Sequence, residues 1–182
     1  MEVAERELIL RARQGDAPAF TLLVRRYDRR ILALALDMVG DVDDAQDVFQ
    51  EALLAAYRDL SQFRMESDFS TWLYRVAVNK ALKFRRRRQR TALREDGAAV
   101  EDVDPGGGPE EGVLAAEMRA QFDRGLERLS ARERAAFALC HRQGFRIDQA
   151  ASLMDCSPGT VKSYLFRGRE KMKVFLQQYL EA

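Results

Sequence analysis

The sequence predicts an all-α protein: two small helical domains joined by a flexible acidic linker, with a helix–turn–helix in the second. Three observations point there. Apolar residues recur every three or four positions along nearly all of the 182-residue chain, and no convincing period-two alternation appears. Segment 95–111, EDGAAVEDVDPGGGPEE, breaks that periodicity with three consecutive glycines, two prolines and no aromatic residue. It buries too little apolar surface to offset its ordering entropy, so it reads as a tether. Segment 145–173, FRIDQAASLMDCSPGTVKSYLFRGREKMK, reads as two short helices around a tight turn. The predicted domains are 1–94 and 113–182, with the linker at 95–112.

Helices are expected over 3–14, 18–39, 42–60, 70–88, 110–129, 131–143, 147–154 and 158–180. Gly15 and Asp16, with Pro18 following, separate the first two, and Gly40 and Asp41 the next pair. Helix 42–60 has Val48, Ala52, Ala55 and Ala56 on its inner side, joined by Phe49, Leu53, Tyr57 and Leu60. Asp43, Asp47, Gln50, Leu54 and Arg58 line up on the opposite side, with Glu51 beside them. A leucine inside a stripe of carboxylates and amides fits a protein-docking surface. The pattern alone favours the plainer reading, a solvated face with one stray leucine.

Helix 70–88 opens among Phe69, Trp72 and Tyr74, with Ser70 or Thr71 as candidate cap. Asn79, Lys80, Lys83 and the run Arg85 to Arg88 follow. Cations at a helix C-terminus suit its macrodipole. Aromatics beside a cationic helix and a polar loop (63–68, FRMESD) can also hold single-stranded DNA, bases stacking while cations track phosphates. Trp72 and Leu73 also suit a core, and at least one of them is expected there.

In the last pair of helices, Ile147, Ala150, Ala151 and Met154 recur at helical spacing. Ser157 supplies an N-cap oxygen, and Pro158 occupies the first helical position, where its missing N–H costs nothing. Val161, Leu165, Gly168 and Met172 then share one face of the second helix, and Lys162, Ser163, Phe166 and Arg167 another. Hydroxyl, cationic and aromatic tips along one stripe suit a DNA major groove. An ordinary helical hairpin is the plainer alternative.

The net charge of +1 hides segregation. Residues 1–94 hold 18 Lys/Arg against 14 Asp/Glu, residues 95–117 hold 8 acidic and no basic residues, and residues 118–182 hold 12 basic against 7 acidic. Two cationic lobes flanking an acidic connector suit two patches on one polyanion.

DAQDVFQEALLAAY at 44–57, then FSTWLYRVAVNKA, then LSARERAAFAL and CSPGTVKSYLFRGREK, resemble an extracytoplasmic-function sigma factor of bacteria. The resemblance spans about residues 5–90 and 113–180. It implies a non-catalytic initiation factor that binds RNA polymerase core and directs promoter-specific transcription, in a stress or envelope response, under an anti-sigma factor. It places Asp44, Asp47, Gln50, Glu51 and Leu54 on the clamp helices of the largest polymerase subunit. The flap of the second-largest subunit is a further implied partner. Phe63, Arg64, Ser67, Phe69, Trp72, Tyr74, Arg75, Asn79, Lys80 and Lys83 would melt and read the minus-ten element, with Asn79 contacting a base, Phe63 to Phe69 shaping the pocket for a flipped base, and Lys80, Lys83 and Arg85 to Arg88 on phosphates. Ser157, Gly159, Thr160, Lys162, Ser163, Phe166 and Arg167 would read the minus-thirty-five element. Asp155 departs from the pattern, standing in the turn where helix–turn–helix motifs usually have glycine.

No apolar run approaches the length of a membrane-spanning helix, and the N-terminus lacks a secretory pattern. A cytoplasmic protein without membrane insertion, cofactor, metal or catalytic residue is therefore expected. Cys140 and Cys156 read as buried thiols, although His141 beside Cys140 admits a metal or redox site. A stand-alone operator-binding regulator and a metal-dependent nuclease using Asp41, Asp43, Asp44 and Asp47 are the rival readings. The regulator has no need of the aromatic cluster at 69–74. The nuclease lacks a histidine or general-acid partner.

Overall fold

A computed structural model describes residues 3–92 and 113–180. All the regular structure there is helical: α1 (Val3–Arg13), α2 (Ala17–Val24), α3 (Asp28–Val39), α4 (Val42–Asp59), a 3₁₀ turn (Leu60–Gln62), α5 (Phe69–Ala92), α6 (Val113–Glu127), α7 (Ala131–Phe137), a π-helical segment (Ala138–Arg142), α8 (Ile147–Leu153) and α9 (Pro158–Leu180). The predicted linker, 95–112, lies outside the described residues. No helix among the described residues is long and apolar enough to cross a membrane.

Caps and turns set most boundaries. Asp16 accepts the Ala19 N–H at 2.9 Å and Pro18 sits in the first turn, starting α2. Asp41 accepts the Asp44 N–H at 2.9 Å and starts α4. Ser130 and Glu133 form a capping box on α7. Gly40, at φ +90°, closes α3 in the left-handed region.

Two predicted helices are interrupted. The expected helix 18–39 breaks between α2 and α3, although no glycine or proline stands there. Tertiary contacts supply the reason. Tyr27 donates its hydroxyl to Glu5 at 2.7 Å, and its ring leans on Phe69 at 5.8 Å. A straight helix would have to carry Tyr27 past both. The expected helix 131–143 relaxes into the π segment, where the Gln143 N–H donates to the Ala138 carbonyl at 2.9 Å.

The core runs through both halves. Ile9, Phe20, Leu23, Ile31, Leu34, Met38, Phe69 and Leu73 fill the first, with Ala52 and Ala56 of α4 beside Ala77 and Ala81 of α5. Leu139, Leu153, Met154, Val161 and Leu165 continue the same cluster into the second. Leu126, Leu129 and Met172 form a smaller cluster between α6, the turn before α7, and α9. The halves meet where α3 and α5 face α7, the π segment and α8. There Tyr74 meets Phe145 edge-on, with ring centroids 5.1 Å apart.

Candidate nucleic-acid interface

On α4 the small and apolar positions Ala45, Val48, Ala52, Ala55 and Ala56 face inward, which turns the acidic stripe out. Asp43, Asp47, Gln50, Glu51 and Arg58 are exposed, and Leu54 is 70% exposed among them. A large aliphatic side chain standing clear within a polar rim has the anatomy of a docking patch. Two members of the stripe are tied back to α5. Asp44, half-buried, pairs with Arg88, and Glu51 pairs with Lys80 at 3.6 Å. Burial pushes the Asp44 carboxyl up, and Arg88 opposes that shift.

The second element is the loop 63–68 with α5. The Asp68 carbonyl accepts the Trp72 N–H, so the helix starts at Phe69, one residue before the predicted cap pair. Phe63, Phe69 and Trp72 pack as a triad with centroids 5.2–5.8 Å apart. Phe69 is 0% exposed, Phe63 is buried, and Trp72 keeps part of its surface. Phe63 and Phe69 therefore offer no free face to a base and act as floor. Tyr74, expected to read DNA, is instead buried, 7% exposed beneath Phe145. Met65 holds the loop between them in the left-handed region at φ 58° while its side chain packs on the core.

What remains outside is ordered. Arg75, Asn79, Lys83, Arg86 and Arg90 are exposed and spaced by three or four, continuing the line of Trp72. Arg64 and Ser67 are exposed at its loop end. An aromatic followed by an amide and cations along one face is chemistry for stacking a base and tracking phosphates. Arg85 departs from the predicted phosphate run. It is turned inward, donating to the Val39 and Leu129 carbonyls at 3.4 and 3.2 Å, and burial lowers its pKa.

The third element is the α8–turn–α9 unit. Met154 and Asp155 end α8, with the Cys156 N–H on the Ala151 carbonyl and Asp155 at φ 51°. Aspartate visits this region more readily than most residues, so it fills the place where glycine is usual. Arg132 donates to the Met154 carbonyl at 2.8 Å and holds the turn from outside. Ser157 caps α9 by accepting the Thr160 N–H at 3.1 Å, and the two hydroxyls lie 2.9 Å apart. Val161, Leu165 and Gly168 bury one face, which leaves Lys162, Ser163, Arg167 and the 66%-exposed Phe166 on the other. Gly159 is exposed at the helix start. The Ser163 hydroxyl donates to the Gly159 carbonyl at 3.0 Å.

A charge that ties α9 to α7 escaped sequence reasoning. Glu133, buried in α7, accepts from Lys171 at 2.7 Å and lies 3.7 Å from Arg167. Burial pushes its carboxyl up. Lys171 and the Ser130 N–H and hydroxyl outweigh that and hold it below the ordinary 4.5. The visible signal was the S-x-x-E spacing of the capping box. Among the described residues no group of three His, Cys, Asp or Glu could hold a metal. Cys140 and Cys156 are free and only half-buried, and burial raises both thiols.

Known proteins share this arrangement. The family described as Sigma-70 region 2 matches residues 23–91, and that described as Sigma-70, region 4 matches residues 119–172. The RNA polymerase sigma-H factor of Pseudomonas aeruginosa is 36% identical, covering 97% of this chain and 95% of its own length. The ECF RNA polymerase sigma-E factor of Escherichia coli K12 is 37% identical, covering 93% of this chain and 92% of its own. Among solved structures, the sigma factor RpoE bound to the anti-sigma factor NepR from Bartonella quintana superposes with a TM-score of 0.68. It is 26% identical and covers 87% of this chain and 96% of its own. CnrH bound to the cytosolic domain of CnrY gives a TM-score of 0.64 at 25% identity, over 96% and 98% of the two chains. With both halves matched in order and the relatives aligned almost end to end, the chain belongs to the extracytoplasmic-function RNA polymerase sigma factors.

Proposed function

We infer that this sigma factor docks on polymerase core through Asp47, Gln50, Glu51 and Leu54 of α4, with Asp44 joining once released from Arg88. It reads the minus-ten element with Trp72, Arg75, Asn79, Lys80 and Lys83, in a pocket shaped by Phe63, Met65 and Phe69. It reads the minus-thirty-five element with Lys162, Ser163, Phe166 and Arg167 at a helix start built from Ser157, Gly159 and Thr160. It works in the cytoplasm without a cofactor. An anti-sigma factor restrains it, a reading supported by the complex of RpoE with the anti-sigma factor NepR.

The observation that carries this reading is the separation of three exposed chemistries on three elements. An acidic stripe around Leu54 lies on α4, an aromatic–amide–cation line on α5, and a cation–hydroxyl–aromatic stripe on α9. Run-off transcription with purified core polymerase tests it. Initiation from a cognate promoter is expected, with Leu54→Ala and Asn79→Ala each reducing it while leaving helicity intact. A chain that neither binds core nor directs initiation from any promoter ends the reading.

A further inference from the structure

We propose that α1 braces the minus-ten pocket: Glu5 holds the Tyr27 hydroxyl, Tyr27 holds the Phe69 ring, and Phe69 fixes the tilt of Trp72, the ring offered to a flipped base. Glu5 and Tyr27 are thus positioning residues for promoter reading. The brace stands on contacts within the chain, and its consequence for base selection rests on the minus-ten reading above.

None of the docking and reading surfaces described above uses α1, yet its buried side carries a charge. Ile9 and Ala12 face the core, and Glu5, one helical turn before Ile9 on the same side, is 9% exposed. A carboxylate taken out of water costs free energy unless it is paired and hydrogen-bonded, and an apolar residue there would pack the helix without that cost. Glu5 is held from the turn between α2 and α3. It accepts the Tyr27 hydroxyl at 2.7 Å, and Arg26 Nη1 lies 4.0 Å away. Burial, with Glu5 beside it, raises the Tyr27 pKa, so the hydroxyl stays a donor through the neutral range. A hydrogen bond has a direction, which an apolar contact lacks, so it fixes Tyr27 in one orientation.

From Tyr27 the contact passes through rings. Its centroid lies 5.8 Å from that of Phe69, with the planes at 51°. Phe69, 0% exposed, lies 5.7 Å from Trp72 with the planes at 39°. Of the triad with Phe63, Trp72 is the ring that keeps outer surface. The other end of α1 forms a second strut. Arg13 Nη2 donates to the Ser61 carbonyl at 3.2 Å, just ahead of Phe63. Phe63 in turn lies 5.2 Å from Trp72. Helix α1 therefore reaches both flanks of the 63–68 loop, through Tyr27 at Phe69 and through Arg13 ahead of Phe63. A base leaving its stack costs free energy that only a well-oriented pocket offsets. Such a pocket has to hold its geometry within about 0.5 Å. Close-packed rings transmit a shift rather than absorb it.

Trp72 is the single tryptophan of the chain, so its fluorescence reports on the pocket directly. Acrylamide quenching and anisotropy are measured on the full-length chain, with circular dichroism alongside. Tyr27→Phe deletes the donor and keeps the ring, and Glu5→Ala deletes the acceptor. Each should make Trp72 more readily quenched and less anisotropic at unchanged helicity. Glu5→Gln keeps an acceptor oxygen and should stay near wild type. Trp72 as rigid in Tyr27→Phe and Glu5→Ala as in wild type would overturn the brace. Where Glu5→Ala loses helicity, Tyr27→Phe alone decides, since it removes a single oxygen.

The consequence for selection is read with holoenzyme on single-stranded oligonucleotides that carry a cognate minus-ten element, or that element with one base at a time replaced. The loosened variants should lose several-fold in discrimination between them, while their affinity for core polymerase stays at the wild-type value. Loosened variants that discriminate as well as wild type would overturn the positioning role. A wild-type holoenzyme indifferent to every replacement would strike the promoter reading instead, and the fluorescence of the free chain would still decide the brace.

Discussion

Lys162 illustrates how much a single side chain decides in this protein. It projects from the exposed face of α9. Lys162→Ala should weaken binding to the minus-thirty-five element by about 1–3 kcal/mol if it reads a base, and by less, with a salt slope smaller by about one, if it touches phosphate. Titrations at several salt concentrations separate the two. Glu133 makes the opposite kind of contribution. Its carboxyl titrates below the ordinary 4.5 in the folded chain, so its stabilisation is fully present above that value. It is lost as pH falls through the lowered folded value. Thermal melts from neutral pH to pH 3 should therefore show an acid limb that Glu133→Gln flattens, along with a lower melting temperature at neutral pH. An unchanged limb would mean that Lys171 and the Ser130 cap do not hold this carboxylate. Phe69 belongs with Glu133 rather than with Lys162. Phe69→Ala should cost about 3–5 kcal/mol of folding stability in denaturant titrations, the loss expected of a core aromatic, before any effect on DNA is measured.

At the scale of elements, caps and breaks do the positioning. Ser130→Ala removes one side of the α7 capping box and should cost about 1 kcal/mol, read as a shift in the denaturation midpoint. Because α7 carries Glu133, the same change should also loosen the angle of α9, visible as faster amide exchange along α9. Helix α4 behaves differently. Leu54 buries little in the folded chain, so Leu54→Ala should leave stability within about 0.5 kcal/mol of wild type while weakening polymerase binding. Equal losses of stability and docking would make Leu54 a packing residue. On α5 the Arg85 to Arg88 run divides by helix phase: Arg85 turns in to two backbone carbonyls, Arg87 lies over the Phe84 ring at 5.4 Å, and Arg88 pairs with Asp44. Arg86 stays exposed on the outer line. Four identical letters in a row do four different things because helix geometry points each about 100° from the last.

For the molecule as a whole, two reading surfaces on one chain make affinity a matter of tethering. The halves expressed separately should each bind a two-element promoter far more weakly than the intact chain bound to polymerase. The difference reflects effective concentration rather than any lost contact. Gel shifts with holoenzyme and with the separated halves check this, and additive binding without gain from linkage would argue against it. Within the folded chain the two halves share one apolar cluster, and Arg134, Arg142 and Gln143 reach Asp37 across it.

Periodicity, caps and charge segregation alone sufficed for the all-α class, the ends of most helices, the small-residue inward face of α4 and the outward stripe of α9; Tyr57, placed inward on α4 by its spacing, is 41% exposed. These are local properties, written in residues three or four positions apart. Tertiary packing decided the rest. The break at Tyr27 depends on Glu5 and Phe69, the inward turn of Arg85 on Val39 and Leu129, and the burial of Tyr74 on Phe145. Each partner lies 22 or more residues distant in sequence, and no short window holds both. Whether an aromatic or an arginine faces DNA or the interior is settled by what the rest of the chain brings against it, and that is a property of the folded molecule.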